Sequence, residues 1–189
     1  MQIAKIVKRL FYGKDALYKE RIKKLKTVPK EQRRQEFGAI MHDLCVQCAA
    51  DFVKDEFNKN DSPFKEIDAA RLFHEIVVIN YWIADKVMGG EKRILQGELH
   101  NNYFRHFEIE DAHRKEKFLN ERYAVYYDNW DDDIGDHKGF GLKAAGHIYG
   151  EEKEGLMDQA SFWIVFYAND IMKRFFGIKK TCRFMRIKI

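Results

Sequence analysis

His106, Glu110 and His113 stand four and three residues apart in the run HFEIEDAH. On a single α-helix, at about 100° per residue, they would share a narrow sector. Glu-x-x-His is also the spacing by which helix bundles present a carboxylate and an imidazole to one metal. The expected chemistry is therefore coordination of a divalent metal, or proton transfer, with His74 of a neighbouring helix as a further ligand. Leu95, Leu99 and Asn102 precede the trio on the same stripe, while His100 points away from it. A di-metal bundle needs a second Glu-x-x-His, and the chain has none. The trio is a candidate metal site whose complement on another helix is not identified.

Other chemistry-bearing residues are less complete. His42-x-x-Cys45-x-x-Cys48 places soft ligands on successive turns of one helix, but Cys48 falls mid-stripe among Phe37, Leu44 and Phe52, as a small core residue would. Asp128, Asp131, Asp132, Asp133 and Asp136 crowd into nine positions, where their mutual repulsion calls for a divalent cation or a basic segment nearby. No register of that stretch satisfies an EF-hand, so it reads as an acidic loop. Gly139-Phe140-Gly141 follows no strand and builds no phosphate loop. No serine, histidine and aspartate fall in a nucleophile-elbow arrangement. No complete catalytic set emerges, and the sequence leaves open whether the chain is an enzyme.

The elements that would carry these residues read as helices. The chain has 189 residues, 46% of them hydrophobic, with only two prolines and no internal repeat, which fits a single domain with its own core. The expected fold is all-α: a bundle of about six to eight helices over 1–189, around a central apolar helix at about 64–88. That helix contains RLFHEIVVINYWIA, apolar nearly all round, with Asp61 or Ser62 as its cap. A long helix at about 30–58 precedes it. Helices at about 91–107 and 110–130, open to being continuous, follow it. Residues 128–141 are expected as loop, 141–149 as a short helix and 152–176 as the last helix, with Leu156, Ala160, Trp163, Phe166 and Phe176 on its inner stripe.

Charge is distributed unevenly. Residues 1–34 carry a balance of +9, residues 35–170 one of −12 and residues 171–189 one of +7. The basic ends comprise amphipathic helices in 1–28 and a tail from 177 to 189, which alternates apolar and basic residues as a strand, docked arm or partner-ordered segment would. Lys5, Lys8, Arg9, Lys23 and Lys24, with Lys179, Lys180, Arg183 and Arg186, would engage an acidic protein, a nucleic acid or an anionic membrane surface. Basic ends meeting the acidic body of another copy would give a homo-oligomeric scaffold. Three cysteines at these spacings suggest no disulfide framework, and neither a transmembrane segment nor a signal peptide is expected from the hydropathy pattern, so the expected location is cytoplasmic. The leading expectation is a non-catalytic binding protein; the alternatives are a metal-dependent bundle enzyme and the scaffold.

Overall fold

A computed structural model describes residues 16–88, 92–107, 111–132, 135, 137–150 and 155–187. The described residues form seven α-helices and no strand. They are α1 (residues 16–24), α2 (Arg33–Asn58), α3 (Ala69–Met88), α4 (Lys92–His106), α5 (Ala112–Asn129), α6 (Lys138–Tyr149) and α7 (Leu156–Phe184). None of these helices is long and apolar enough to cross a membrane.

α3 is the centre of the bundle, as its all-round apolarity predicts. Leu72, Ile76 to Ile79 and Tyr81 to Ala84 are buried, and the helix packs against α2, α4, α5, α6 and α7. Its start lies later than the sequence suggests. The Arg71 amide donates to Asp68 Oδ1 at 2.8 Å, so Asp68 makes the capping contact. Ser62 instead accepts from the Phe64 amide in the preceding turn.

α1 runs antiparallel to α2. Arg33 Nε donates to the Val28 carbonyl, Arg21 pairs with Asp43 at 2.8 Å, and the Arg21 guanidinium lies 5.7 Å from the centre of the Tyr18 ring, less than one turn further along α1. Burial, then the neighbouring Cys48 and Asp43, push the Tyr18 phenol up to about 12.

The expected inner stripe of the last helix is corrected by the structure. Ala160, Ile164, Ala168, Ile171, Phe175 and Ile178 face the core, whereas Leu156, Trp163, Phe166 and Phe176 are exposed. α7 is apolar on two sides, and periodicity alone does not choose between them. The choice is made by α6, which packs on α7 with Gly141 against Ser161 and Val165 and with Ala144, Ala145 and Ala160 fully buried. Small residues on both helices let the backbones approach closely, and only the small side of α7 fits there. The same stripe continues past Gly177 through Ile178 and Cys182, so residues 177–184 are helical and are not a strand or extended arm.

A Cβ on Gly141 would sit 2.6 Å from the Ser161 carbonyl oxygen and 2.8 Å from Val165 Cγ2. Gly141→Ala is therefore expected to destabilise the protein by about 1–3 kcal/mol, because a backbone atom has to move. Gly177→Ala is the matched control: nothing lies within 4 Å of the added methyl, and helix propensity predicts a gain of about 1 kcal/mol. Thermal unfolding of the two variants should show shifts of opposite sign.

Candidate interaction face and the histidine cluster

The expected metal trio does not share one helix. α4 ends at His106, Phe107 closes its last turn by donating to the Tyr103 carbonyl at 3.0 Å, and α5 begins at Ala112 with His113 in its first turn. Glu110 lies outside the described residues. The spacing that would align the three therefore spans two elements, and no common stripe exists for His106 and His113. Among the described residues, no group of three His, Cys, Asp or Glu is placed to hold a metal ion.

His106 instead meets α2. Its ring is 5.2 Å from that of His42 in an edge contact, and His42 Nδ1 is hydrogen-bonded to the Tyr81 hydroxyl. His74 Nδ1 is hydrogen-bonded to the Tyr103 hydroxyl at 3.1 Å. Both His74 and His106 pack on Phe107, each with ring centroids 4.7 Å from it. The result is a seam of imidazole, phenol and phenyl rings joining α2, α3 and α4.

His100 is the most deeply buried histidine of this region, with Nε2 3.2 Å from the Tyr123 hydroxyl. Its Nδ1 lies 4.0 Å from a Glu116 carboxylate, which would favour the charged ring, yet its pKa is pulled down to about 4 by burial. Burial prevails because Glu116 is half-exposed and at the limit of ion-pair range. His42 is likewise held at about 4, by burial and by the facing His106, with Asp43 opposing weakly. These rings are built to stay neutral at pH 7.

Cys45 and Cys48 are buried on α2, as core packing requires, and no disulfide joins them or Cys182. Burial, reinforced by Cys48, pushes the Cys45 thiol well above its ordinary range, away from the thiolate that binds metals. The acidic stretch is shorter as a loop than expected, because α5 extends to Asn129 and α6 begins at Lys138. Asp132 accepts from Lys86 Nζ at 2.6 Å and from the Trp130 indole at 2.8 Å. The hydrogen bond from Lys86 is the chief reason its carboxyl titrates below the usual range. Its compensating charge therefore comes from the central helix. Asp128 is exposed, Asp131 partly so, and Asp133 and Asp136 lie outside the described residues.

The basic residues separate into two groups. Lys5, Lys8 and Arg9 lie outside the described residues, and Lys23 pairs with Glu20 at 2.5 Å beside exposed Lys24. Lys179 is bound inward, to the Val87 carbonyl at the end of α3. Lys180, Arg183 and Arg186 are exposed at the end of α7.

The outer face of α7 is what the sequence reading missed. Phe162, Phe166, Lys173, Phe176, Lys180 and Phe184 follow each other at intervals that keep them within about 40° of one line on the helix. The four phenylalanines are 59%, 61%, 52% and 86% exposed. At 1.5 Å per residue this ridge is about 33 Å long. Single exposed apolar residues are ordinary, but an aligned aromatic row is a mark of an interface. The available signal was the second apolar stripe of the last helix, which no core position accounts for.

Beside the first half of the ridge, α2 and α7 enclose a cleft of about 240 Å³, lined by Asp51, Phe52, Asp55, Trp163, Phe166 and Tyr167 among others. Lys59 closes one end, its ammonium 4.7 Å above the Trp163 ring and paired with Glu56. Arg174 closes the other, 3.4 Å from Asp170 and 3.6 Å from Cys48 Sγ. The ridge is thus acidic-flanked at its start and basic at its end.

No protein-family model, curated protein or solved structure matches this chain. The reading of function rests on the face and the cleft themselves.

Proposed function

We propose that the chain is a non-catalytic helical binding protein that uses the outer face of α7 to hold another protein whose surface is both apolar and acidic. The observation that carries this is the aligned row of four exposed phenylalanines with Lys173 and Lys180 between them. Phenylalanines supply the desolvated contact area, and the lysines set register and attraction. A protein partner fits better than a nucleic acid or an anionic membrane. Those two present one sign of charge, whereas this ridge runs from Asp170 and the acidic cleft to Lys180, Arg183 and Arg186. The three buried cysteines, with no disulfide between them, support a reducing compartment such as the cytoplasm.

The test is binding of the full chain to a helical peptide bearing a leucine stripe flanked by glutamates, compared with duplex DNA and anionic vesicles across a salt series. The peptide should bind most tightly. Phe176→Ser with Phe184→Ser should weaken that binding at least tenfold, while leaving the fold intact because both rings are exposed. Tighter binding to DNA or vesicles, indifferent to the phenylalanine changes, would transfer the basic residues to those partners.

A second reading, self-association, is favoured by the split of sign along α7. An antiparallel pair of α7 helices would set the basic end of each copy against the acidic end of the other, as a two-fold interface requires. Sedimentation at low and high salt distinguishes this scaffold from a monomer that binds others.

A further inference from the structure

α3, α5 and α6 pack on one another, and each brings a pair of polar residues, one helical turn apart, to the same junction. The pairs are Arg71 and Glu75 on α3, Arg122 and Tyr126 on α5, and Lys143 and His147 on α6. Contacts between the helices join them into one cluster. Arg122 Nη2 donates to Glu75 Oε1 at 3.4 Å, and Arg71 Nη2 donates to the His147 carbonyl at 3.1 Å. The Tyr126 hydroxyl lies 3.2 Å from His147 Nδ1. Burial, then the nearby Arg122 and Lys143 cations, hold the His147 ring neutral at pH 7, at about 4. Glu75 and Tyr126 are buried at the floor, Arg122 and His147 are half-buried above them, and Arg71 and Lys143 are exposed at the rim.

The charges of this cluster do not balance. Three cations, Arg71, Arg122 and Lys143, face one carboxylate, Glu75, so the junction carries a positive surplus of about two charges in partly buried surroundings, where repulsion is strong. Among the described residues, neither the Arg71 guanidinium nor the Lys143 ammonium is in an ion pair; Asp68 accepts from the Arg71 backbone amide instead. The Arg122 guanidinium is held over the Phe118 ring, 4.6 Å from its centre, yet its buried Nε donates to no acceptor among the described residues. An oriented guanidinium with unmet donors favours an added acceptor. His147 supplies one donor more. With the Tyr126 hydroxyl donating to Nδ1, the neutral ring carries its proton on Nε2. Surplus charge, a fixed guanidinium and an imidazole donor agree on one ligand chemistry, an oxyanion of double negative charge.

We propose that Arg71, Arg122, Lys143 and His147 form a binding site for a phosphate group at the junction of α3, α5 and α6. This goes beyond the binding role of α7, and none of the four residues lies on that helix.

NMR of the full chain at neutral pH tests it through the ring resonances of His147. Inorganic phosphate should shift them saturably, while chloride at equal ionic strength should not. Arg122→Gln should weaken binding about tenfold and Lys143→Gln about threefold, as the loss of a half-buried and of an exposed charged contact. Lys143 is exposed, so its variant keeps the test alive if Arg122→Gln fails to fold. Glycerol 3-phosphate is the second probe: tighter binding of the ester assigns the site to a phosphate monoester, and weaker binding assigns it to the free ion. The absence of any shift, a shift that never saturates, or one that both variants leave unchanged would overturn the proposal. Acetate binding as tightly as phosphate would overturn it too, because the site would then be built for a carboxylate. Phe176→Ser with Phe184→Ser changes none of these residues, so the two readings fail separately.

Discussion

Moving from pH 7 to pH 5 is expected to remove about 4 kcal/mol of folding stability through His42 and His100 alone. Both rings are buried and are held at about 4, against 6.5 for an unperturbed histidine. Between those values the unfolded chain binds the proton and the folded one does not. Stability is therefore lost as pH falls through 6.5, and the loss is complete only below about 4. At pH 5 each ring contributes about 2 kcal/mol of this difference, a large share of the roughly 5–15 kcal/mol that holds a domain together. His147, lowered to about 4 by burial and by Arg122 and Lys143, adds to the loss in the same direction, less strongly because it is partly exposed. Denaturant unfolding at half-unit pH steps reads the slope directly. His100→Gln should flatten it by one proton while keeping a polar partner for Tyr123. A stability that stays level from pH 7 to pH 5 would mean that the rings gain a compensating charge or open to water.

The second large effect is expected at the centre of the bundle. Trp82→Ala should destabilise by about 3–5 kcal/mol and lower the melting temperature by about 10 °C. Trp82 is fully buried on α3. It stacks on Phe140 at 4.8 Å and makes edge contacts with Tyr126 at 5.7 Å and Trp130 at 5.3 Å. One ring therefore joins α3, α5, α6 and the loop that follows α5, and no neighbour is free to refill its volume. Phe175→Ala should behave alike, its ring being fully buried on α7, whereas Phe166→Ala should stay within about 0.5 kcal/mol. Thermal unfolding of the last pair checks the rotation of α7 directly. Equal losses at both positions would contradict the face assigned here.

That rotation separates what the sequence carries from what it leaves undecided. The all-α class, the central helix and the burial of Cys45 and Cys48 were legible, because each rests on a local pattern that has one reading. An apolar surface all round α3 has nowhere to go but the middle. The proposed histidine trio shows the opposite case. Spacing in sequence becomes spacing in space only while a helix continues, and α4 ends at His106, the first member of the trio.

Sequence by itself determined that this protein is helical, that α3 is its core and that its ends are basic, since helix periodicity and charge are properties of the chain alone. Only the tertiary structure decided which of two apolar faces of α7 meets solvent, where His106 finds its partner and which lysine answers Asp132. The physical reason is that these depend on shape at contacts between distant segments. Gly141 and the small residues around it admit the small side of α7 and leave four phenylalanines outside. The face proposed to bind is thus set by a glycine on another helix.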